Sequence, residues 1–339
     1  MNFRRLITFV LSIAITAFFL WLALASVDFA KLAHTFANAD YRFVVIAALA
    51  MITSYALRAA RWQKFLAPTK VISFRRLFPI LIVGFTFNNL LPARPGELAR
   101  AYWLGQREGI SRTLCLATVI VERVADGLTL IGFLLTALAL LGRFGIDLPP
   151  IAEAIAVAMT ALFGVALIGL IFLLVRESLA LAILQKFTRF LPQRFAARIE
   201  KMLGSFVTGL HSLKSAGDVA AIAALSIAIW LVESSTYFFM LIAFCAMDDA
   251  ALRAVASVLT MALINFGVMI PAAPGGLGPY EAAGIFALGA LRVNETIAAS
   301  IALGTHGIQY LMVTALGLFF IWREGMRLAT TDEDATSDA

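Results

Sequence analysis

Residues 92–97 read Pro92-Ala93-Arg94-Pro95-Gly96-Glu97, and residues 271–276 read Pro271-Ala272-Ala273-Pro274-Gly275-Gly276, with Gly278 and Glu281 close behind. The two phrases start 179 residues apart in a chain of 339, and each interrupts a stretch apolar enough to sit in a bilayer. Proline removes a backbone donor and clashes with the preceding helical turn, while glycine frees the backbone. Broken backbone at membrane depth is tolerated only where protein or a water-filled cavity surrounds it. A matching pair of Gly/Pro-broken segments in two halves of a chain points to a transporter's binding site.

The rest of the chain supports a membrane setting. It is 61% hydrophobic and only 14% charged, with a mean hydropathy of +0.91; a soluble domain carries about 25% charged residues. The net charge of +6 does not imply a nucleic-acid partner, because Lys and Arg collect in cytoplasmic loops of membrane proteins. Cys115 and Cys245 both lie in apolar stretches and make neither a disulfide framework nor a metal cluster. There is no CxxC, HExxH, Walker loop or GxSxG, so no cofactor, metal or soluble catalytic domain is expected.

Arg4 and Arg5 precede an apolar run from Leu6 to about Ser26. Ala23-Leu24-Ala25 resembles a signal-peptide cleavage site, but the run exceeds the about 7–15 residues of a signal core, so a retained first helix is expected. Further spans are expected over about 43–60, 113–141, 151–175, 219–246 and 296–322. The runs Leu77–Leu91 and Ala254–Ile270 fall short of the about 20 residues a span needs. They read as re-entrant hairpins around the two Pro-Ala-x-Pro-Gly phrases, the first entered from the cytoplasm and the second from outside. Of 27 Lys and Arg residues this topology puts 21 inside, five outside (Lys31, Arg42, Arg143, Arg253, Arg292) and Arg123 within the membrane, the asymmetry the positive-inside rule expects. The expected fold is therefore an all-α polytopic membrane protein with about six spanning helices and two re-entrant helical hairpins in an inverted repeat. It forms one transmembrane domain over 1–329, with halves at about 1–145 and 146–329 and both termini inside. A basic amphipathic cytoplasmic segment is expected at 176–214 and a disordered acidic tail at 330–339.

The candidate binding residues fall into three groups. Asn88, Asn89, Arg94, Glu97 and Arg100 belong to the first hairpin. A broken helix exposes N–H groups that favour anions, and arginine gives bidentate contacts suited to phosphate; alternatively, Arg94 and Arg100 are ordinary inside charges. Glu122, Arg123 and Asp126 sit deep in one span, with Glu122 and Asp126 on one face. Each charge at a helix centre costs about 2.5–3.5 kcal/mol, so the three persist either as a closed ion-pair network or as the wall of a polar cavity that meets a lipid headgroup. Glu233, Asn265, Glu281, His306 and Gln309 are the second half's polar set. A lone intramembrane histidine is often a satisfied interhelical hydrogen bond, and Glu233, alone in its span, reads either as a proton-coupling site or as a neutral structural group. Arg58 and Arg61 at the end of the second span read as cytoplasmic headgroup contacts. The glycines at 275–278 are no nucleotide loop, since no strand precedes them and no lysine follows.

Asn88-Asn89-Leu90-Leu91-Pro92-Ala93-Arg94-Pro95-Gly96-Glu97, Glu122-Arg123-x-x-Asp126, Arg58-x-x-Arg61-Trp62 and Pro271-x-x-Pro274-Gly275-Gly276-x-Gly278-x-x-Glu281 together resemble the lysylphosphatidylglycerol synthase transmembrane region, the flippase-like UPF0104 family. The resemblance runs from about residue 5 to 325. It implies a multi-helix membrane domain with two re-entrant hairpins, which in the best-studied members moves an aminoacylated phospholipid between leaflets. Those members also carry a soluble aminoacyl-transferase domain after the membrane part; none is expected here, so only the lipid-moving half is expected to carry over. Stand-alone relatives are linked to other lipids, including hopanoids and polyprenyl-linked sugars. The expected function is that of a lipid flippase of a bacterial cytoplasmic membrane, with Arg94, Arg100 and Arg123 attracting phosphate and Glu97, Glu122, Asp126 and Glu281 shaping the cavity. The alternatives are an intramembrane lipid-modifying enzyme and a small-ion or metabolite carrier. The expected partners are a membrane phospholipid or lipid-linked substrate, with a second copy of the chain or a lipid-synthesis enzyme as further candidates.

Overall fold

Long apolar runs in a bilayer become helices because every backbone N–H must find its acceptor within the segment. The computed structural model describes residues 3–25, 27–91, 94–146, 149–175, 179, 215–270 and 274–324. Among them are eleven α-helices: α1 (Phe3–Leu24), α2 (Phe29–Ala37), α3 (Tyr41–Leu66), α4 (Phe74–Leu90), α5 (Gly96–Glu108), α6 (Arg112–Leu141), α7 (Pro150–Val175), α8 (Ala216–Ala243), α9 (Ala250–Gly267), α10 (Pro279–Ala290) and α11 (Glu295–Glu324). By length and composition α3, α6, α8, α9 and α11 can each cross a membrane, and α1 with α2, bent by 77° at the break between them, would make a sixth span. The chain is thus an all-helical, multi-pass membrane protein.

Helix starts carry their own signals. Asp28, Asp40 and Asp249 each accept backbone N–H bonds in the first turn of α2, α3 and α9, satisfying donors that a helix N-terminus leaves free. Two boundaries differ from the sequence expectation. First, α3 continues six residues past the expected end, to Leu66, and carries Arg58 and Arg61 inside the helix rather than in an aqueous loop. Second, α9 is 18 residues long, at the lower limit for a span, and 56% of its most apolar window is covered by the rest of the protein.

Both phrases break helices. α4 ends at Leu90 and α5 begins at Gly96; α9 ends at Gly267, and a 3-10 turn at Pro274–Gly276 precedes α10. Pro95 and Gly96 open α5, whereas Pro92 and Pro271 lie outside the described residues. Gly275, Gly276 and Gly278 have φ of 75°, 77° and 93°, a region that glycine enters without steric cost. The basic segment expected at 176–214, apart from Leu179, and the tail at 330–339 also lie outside the described residues.

Helices in lipid associate through close packing and interhelical hydrogen bonds rather than a hydrophobic drive. α3 and α8 run antiparallel, since Thr236 reaches the Ala47 carbonyl, Ser54 reaches Glu233, and Arg61 reaches Ser226. α4 approaches α11 where Thr86 donates to the Val313 carbonyl at 2.9 Å. A Cβ on the neighbouring Gly317 would lie 1.8 Å from the Thr86 hydroxyl. α4 and α5 meet at Gly84 and Gly96, where a Cβ on Gly96 would lie 1.8 Å from the Gly84 carbonyl. The apolar core divides into two clusters, one around Leu134, Leu241 and Leu259 and the other around Phe65, Leu81 and Leu104.

At the last residue of α5, the buried Glu108 carboxylate takes Lys70 Nζ at 2.9 Å and Arg76 Nη1 at 3.2 Å. Burial raises its pKa, but hydrogen bonds from Lys70 and Arg76 and their charges outweigh that, and the carboxyl sits below its ordinary value. A lowered folded-state value means this stabilisation is present at neutral pH and disappears as pH falls through the folded value.

Two outcomes are expected. Gly96→Ala lowers the thermal midpoint of the full chain in detergent by the equivalent of about 1–3 kcal/mol, while Gly132→Ala, which meets nothing within 4 Å, leaves it unchanged or raises it. Glu108→Gln lowers stability at neutral pH by about 0.2–1 kcal/mol, since its partners are partly exposed. The gap to wild type closes on acidification; a constant gap refutes the assignment.

Candidate functional site

Two carboxylates one turn apart on α6 enter apolar surroundings and draw in their partners from three other helices. Arg61 of α3 places Nη2 2.7 Å from Asp126 Oδ1 and 3.9 Å from Glu122 Oε1, and its Nη1 donates to Ser226 Oγ of α8 at 2.8 Å. Arg100 of α5 donates to Glu122 Oε2 at 2.9 Å and to Oε1 at 3.4 Å. Arg58 bridges Asp126 and Glu233 at 3.6 Å each, and Glu233 accepts from Ser54 at 2.5 Å. The Arg100 and Arg58 guanidiniums lie 4.4 and 4.5 Å from the ring centroids of Trp62 and Trp230, faces that attract cations. Arg123 reaches Glu122 Oε1 at 2.6 Å and Asp126 Oδ2 at 3.1 Å. Both Asp126 oxygens are in ion contact without an aligned hydrogen bond, so charge rather than bond geometry holds that corner.

Glu122 and Arg61 are wholly buried, whereas Arg123 keeps 39% of its side chain exposed. The cluster therefore combines the two readings of the sequence: a closed network at Glu122, Asp126 and Arg61, with one guanidinium facing outward. Four guanidiniums surround three carboxylates. Arg94 and Glu97 are close enough to interact electrostatically with each other and with Arg123, and adding them keeps one positive charge in surplus. Beside them a cavity of about 10 Å³, lined by Gly84, Asn88, Gly96, Glu97, Arg100 and Arg123, has room for about one water.

Arg94 joins this cluster to the second break. Its φ is 51°, an uncommon conformation for a side-chain-bearing residue, and its residue is exposed. Its Nη2 lies 3.7 Å from where a Cβ on Gly276 would sit, and a Cβ on Gly275 would lie 3.6 Å from the Asn89 carbonyl. The two breaks thus meet. Asn88 Oδ1 accepts the Gly96 N–H at 2.8 Å, closing the first, and Asn89 reaches Thr314 of α11 at 3.3 Å.

The second constellation is separate and has no Arg partner within ion-pair distance among the described residues. His306 Nδ1 lies 2.5 Å from Glu281 Oε1, its Nε2 lies 3.1 Å from the Gly275 carbonyl, and Glu281 Oε2 accepts the Gly278 N–H at 2.7 Å. Tyr280 stacks on the imidazole at 4.1 Å, and its hydroxyl meets that of Tyr237 at 2.9 Å.

Of the residues singled out in the sequence, Arg100, Glu122, Arg123 and Asp126 come together as one unit. Arg58 and Arg61 join them, which corrects their reading as cytoplasmic contacts: at 7% and 0% side-chain exposure they are committed to carboxylates. They and Arg100 are also three of the charges counted as inside. Glu233 joins this unit too and is not alone. Glu281 and His306 pair with each other. Among the described residues Asn265 donates to the Met261 carbonyl one turn back on its own helix, and Gln309 bonds Tyr55. Ser54, Ser226, Trp230 and Tyr237 are contributors that the sequence reading passed over. Serines and a tryptophan in apolar helices near an acidic residue were the signal available.

These features define a multi-pass helical membrane protein with a buried charge cluster beside two abutting helix breaks. The chain belongs to the lysylphosphatidylglycerol synthase TM region family, whose model matches residues 9–317. It is 26% identical over 359 residues to a protein named Glycosyltransferase AglD of Haloferax volcanii, covering 98% of this chain and 57% of that protein, so it spans little over half the length of that relative. It is 27% identical over 296 residues to a UPF0104 membrane protein of Methanothermobacter thermautotrophicus, covering 83% and 85% of the two chains. A UPF0104 membrane protein of Methanocaldococcus jannaschii is 24% identical over 312 residues, with 89% and 91% covered. No solved structure matches the chain.

Removing one partner of a buried ion pair costs about 3–5 kcal/mol. Arg61→Met is therefore expected to lower the unfolding midpoint of the purified chain sharply, and Asp126→Leu added to it to recover part of the loss. A double variant whose loss equals the sum of the two singles would show that the residues do not act on each other.

Proposed function

We propose that the chain moves the headgroup of a phosphate-bearing lipid across its membrane at the junction of the two helix breaks, while the lipid's chains stay in hydrocarbon. The observation that carries this reading is the surplus positive charge where the breaks meet. Arg94 and the outward-facing Arg123 lie beside a pocket opened by Gly84 and Gly96. Planar guanidiniums take phosphate oxygens in pairs, and Glu97 alongside suits a headgroup that also carries an amine. An apolar groove of about 640 Å³ between α6 and α8, with Val121, Leu128, Ile222 and Ser226 among its lining, offers space for a lipid chain. Ser226 ties that groove to Arg61.

In this reading α4–α5 and α9–α10 are re-entrant hairpins entering from opposite faces of an inverted repeat, with halves at about 1–145 and 146–329. Support comes from the pair Ser54–Glu233. The two residues touch, and they are separated by the same 179 residues as Pro92 and Pro271. Positions related by a two-fold axis meet each other where that axis passes, and α3 and α8 run antiparallel there. Two half-embedded breaks gating opposite faces fit alternating access. We place the protein in the cytoplasmic membrane with both termini inside. The bacterial setting rests on the family resemblance alone, since the relatives named above are archaeal.

The chain is not itself an enzyme in this reading. A second reading, intramembrane chemistry on a lipid-linked sugar, is favoured by the likeness to a protein named a glycosyltransferase. The partner is a membrane phospholipid or lipid-linked substrate, with a second copy of the chain or a lipid-synthesis enzyme as the protein partner.

The test is leaflet-resolved lipid movement in proteoliposomes. Wild type should exchange phospholipid faster than empty vesicles, and Arg94→Ala and Arg123→Ala should each slow it about tenfold or more, the scale of a lost charge-assisted contact. No acceleration by wild type, or undiminished rates in both variants, overturns the reading. A lipid species absent from a deletion strain would favour the enzymatic one.

A further inference from the structure

We propose that Glu281 and His306 form a proton-binding site that latches the second break while it is occupied. Both neighbours of the imidazole are acceptors: a carboxylate at Nδ1 and the Gly275 carbonyl at Nε2. To make both hydrogen bonds, the pair must hold two protons, as imidazolium with carboxylate or as imidazole with carboxylic acid. Either way the pair is neutral, which suits a site where Glu281 and His306 are 1% and 4% exposed. The other carboxylate oxygen already accepts the Gly278 N–H, so the shared proton belongs in the 2.5 Å contact.

Withdrawing one proton leaves a buried negative charge and a single N–H for two acceptors. The carboxylate is the stronger acceptor and keeps it at Nδ1. A lone pair on Nε2 then faces the Gly275 carbonyl, and that contact is lost. Gly275 and Gly276 sit at φ of 75° and 77°, and the Gly275 carbonyl is where His306 of α11 hydrogen-bonds this turn, with the Tyr310 ring packed beside it. Loss of the proton therefore frees the turn that abuts Asn89 and Arg94 of the first break.

Aromatic rings and charges committed elsewhere surround the pair. Tyr280 stacks on the ring, with its hydroxyl on Tyr237, and Tyr310 of α11 stands edge-on at 6.4 Å. From α8, Glu233 acts on both tyrosines through space, but it is committed to Arg58 of α3 and Ser54. Tyr55 of α3 bonds Gln309. Arg94 lies by Gly276, and His34 on α2 is exposed. α1 meets Gly278 with the Thr16 carbonyl and Phe19.

Hydrogen exchange at the amides of residues 275–278 in the purified full chain reads the latch directly. In Glu281→Gln the amide side chain can accept from Gly278 and donate to Nδ1, which holds the turn closed without a titrating proton. At alkaline pH these amides should exchange about tenfold faster in wild type than in Glu281→Gln at the same pH, and the two should coincide under acid conditions. Tyr237→Phe, which keeps the ring and both protons, should retain the wild-type response. Equal protection of wild type and Glu281→Gln at every pH, or opening of wild type on acidification, overturns the proposal. Coupling of the latch to lipid movement rests on the transport reading above. An imposed pH difference should change lipid exchange by wild type but not by Glu281→Gln. Vesicles that move no lipid would sink the transport reading alone, because the exchange measurement decides the proton site by itself.

Discussion

Four guanidiniums gathered around three carboxylates, where hydrocarbon leaves a lone charge no solvent, form the constraint on which the structure depends. Arg61 and Glu122 are wholly buried. Neither could stay there unpaired, because an isolated ion in such surroundings costs several kcal/mol. The partners come from α3, α5, α6 and α8, so satisfying the charges brings those four helices together. The α3 helix must also remain helical as far as Trp62, because its last turns carry two of the cations. The tryptophans under Arg58 and Arg100 extend the same logic, since an aromatic face accepts a cation where water is absent.

The network is not electrically closed, and its surplus appears on the side where the helices are broken. Arg123 points toward the pocket at Gly84 and Gly96, and Arg94 leans from the first break to the second. The two breaks solve the same geometric problem with different residues. In the second, glycines take the positive φ values and a histidine on α11 holds the turn. In the first, an arginine takes the positive φ itself, and Asn88 holds the turn through the Gly96 N–H. One break thus presents charge, and the other presents a buried carboxyl–imidazole pair.

Much of this was legible in the chain. Composition and run length point to a multi-pass helical membrane protein, and the Pro-Ala-x-Pro-Gly phrases mark where helices stop, because proline and glycine act through their own backbone. Glu122, Arg123 and Asp126 announce themselves by cost alone. Arg58 and Arg61 did not. Two arginines followed by Trp62 and Lys64 look like the basic end of a span, and only the carboxylates of α6, some 61 to 68 residues away in sequence, turn them inward. Glu233 seemed isolated for the same reason: its partners Ser54 and Arg58 sit on another helix, and no local pattern records the pairing.

The sequence by itself determined the class of environment, the helices and the two places where they break, because hydropathy, proline and glycine act locally. Tertiary structure alone decided which charges are partners and which face outward, that the two breaks touch, and that His306 stands between two acceptors. Those are long-range facts. They follow from helices packing through small residues until each buried donor and acceptor finds its complement, and no local property of the chain encodes that outcome.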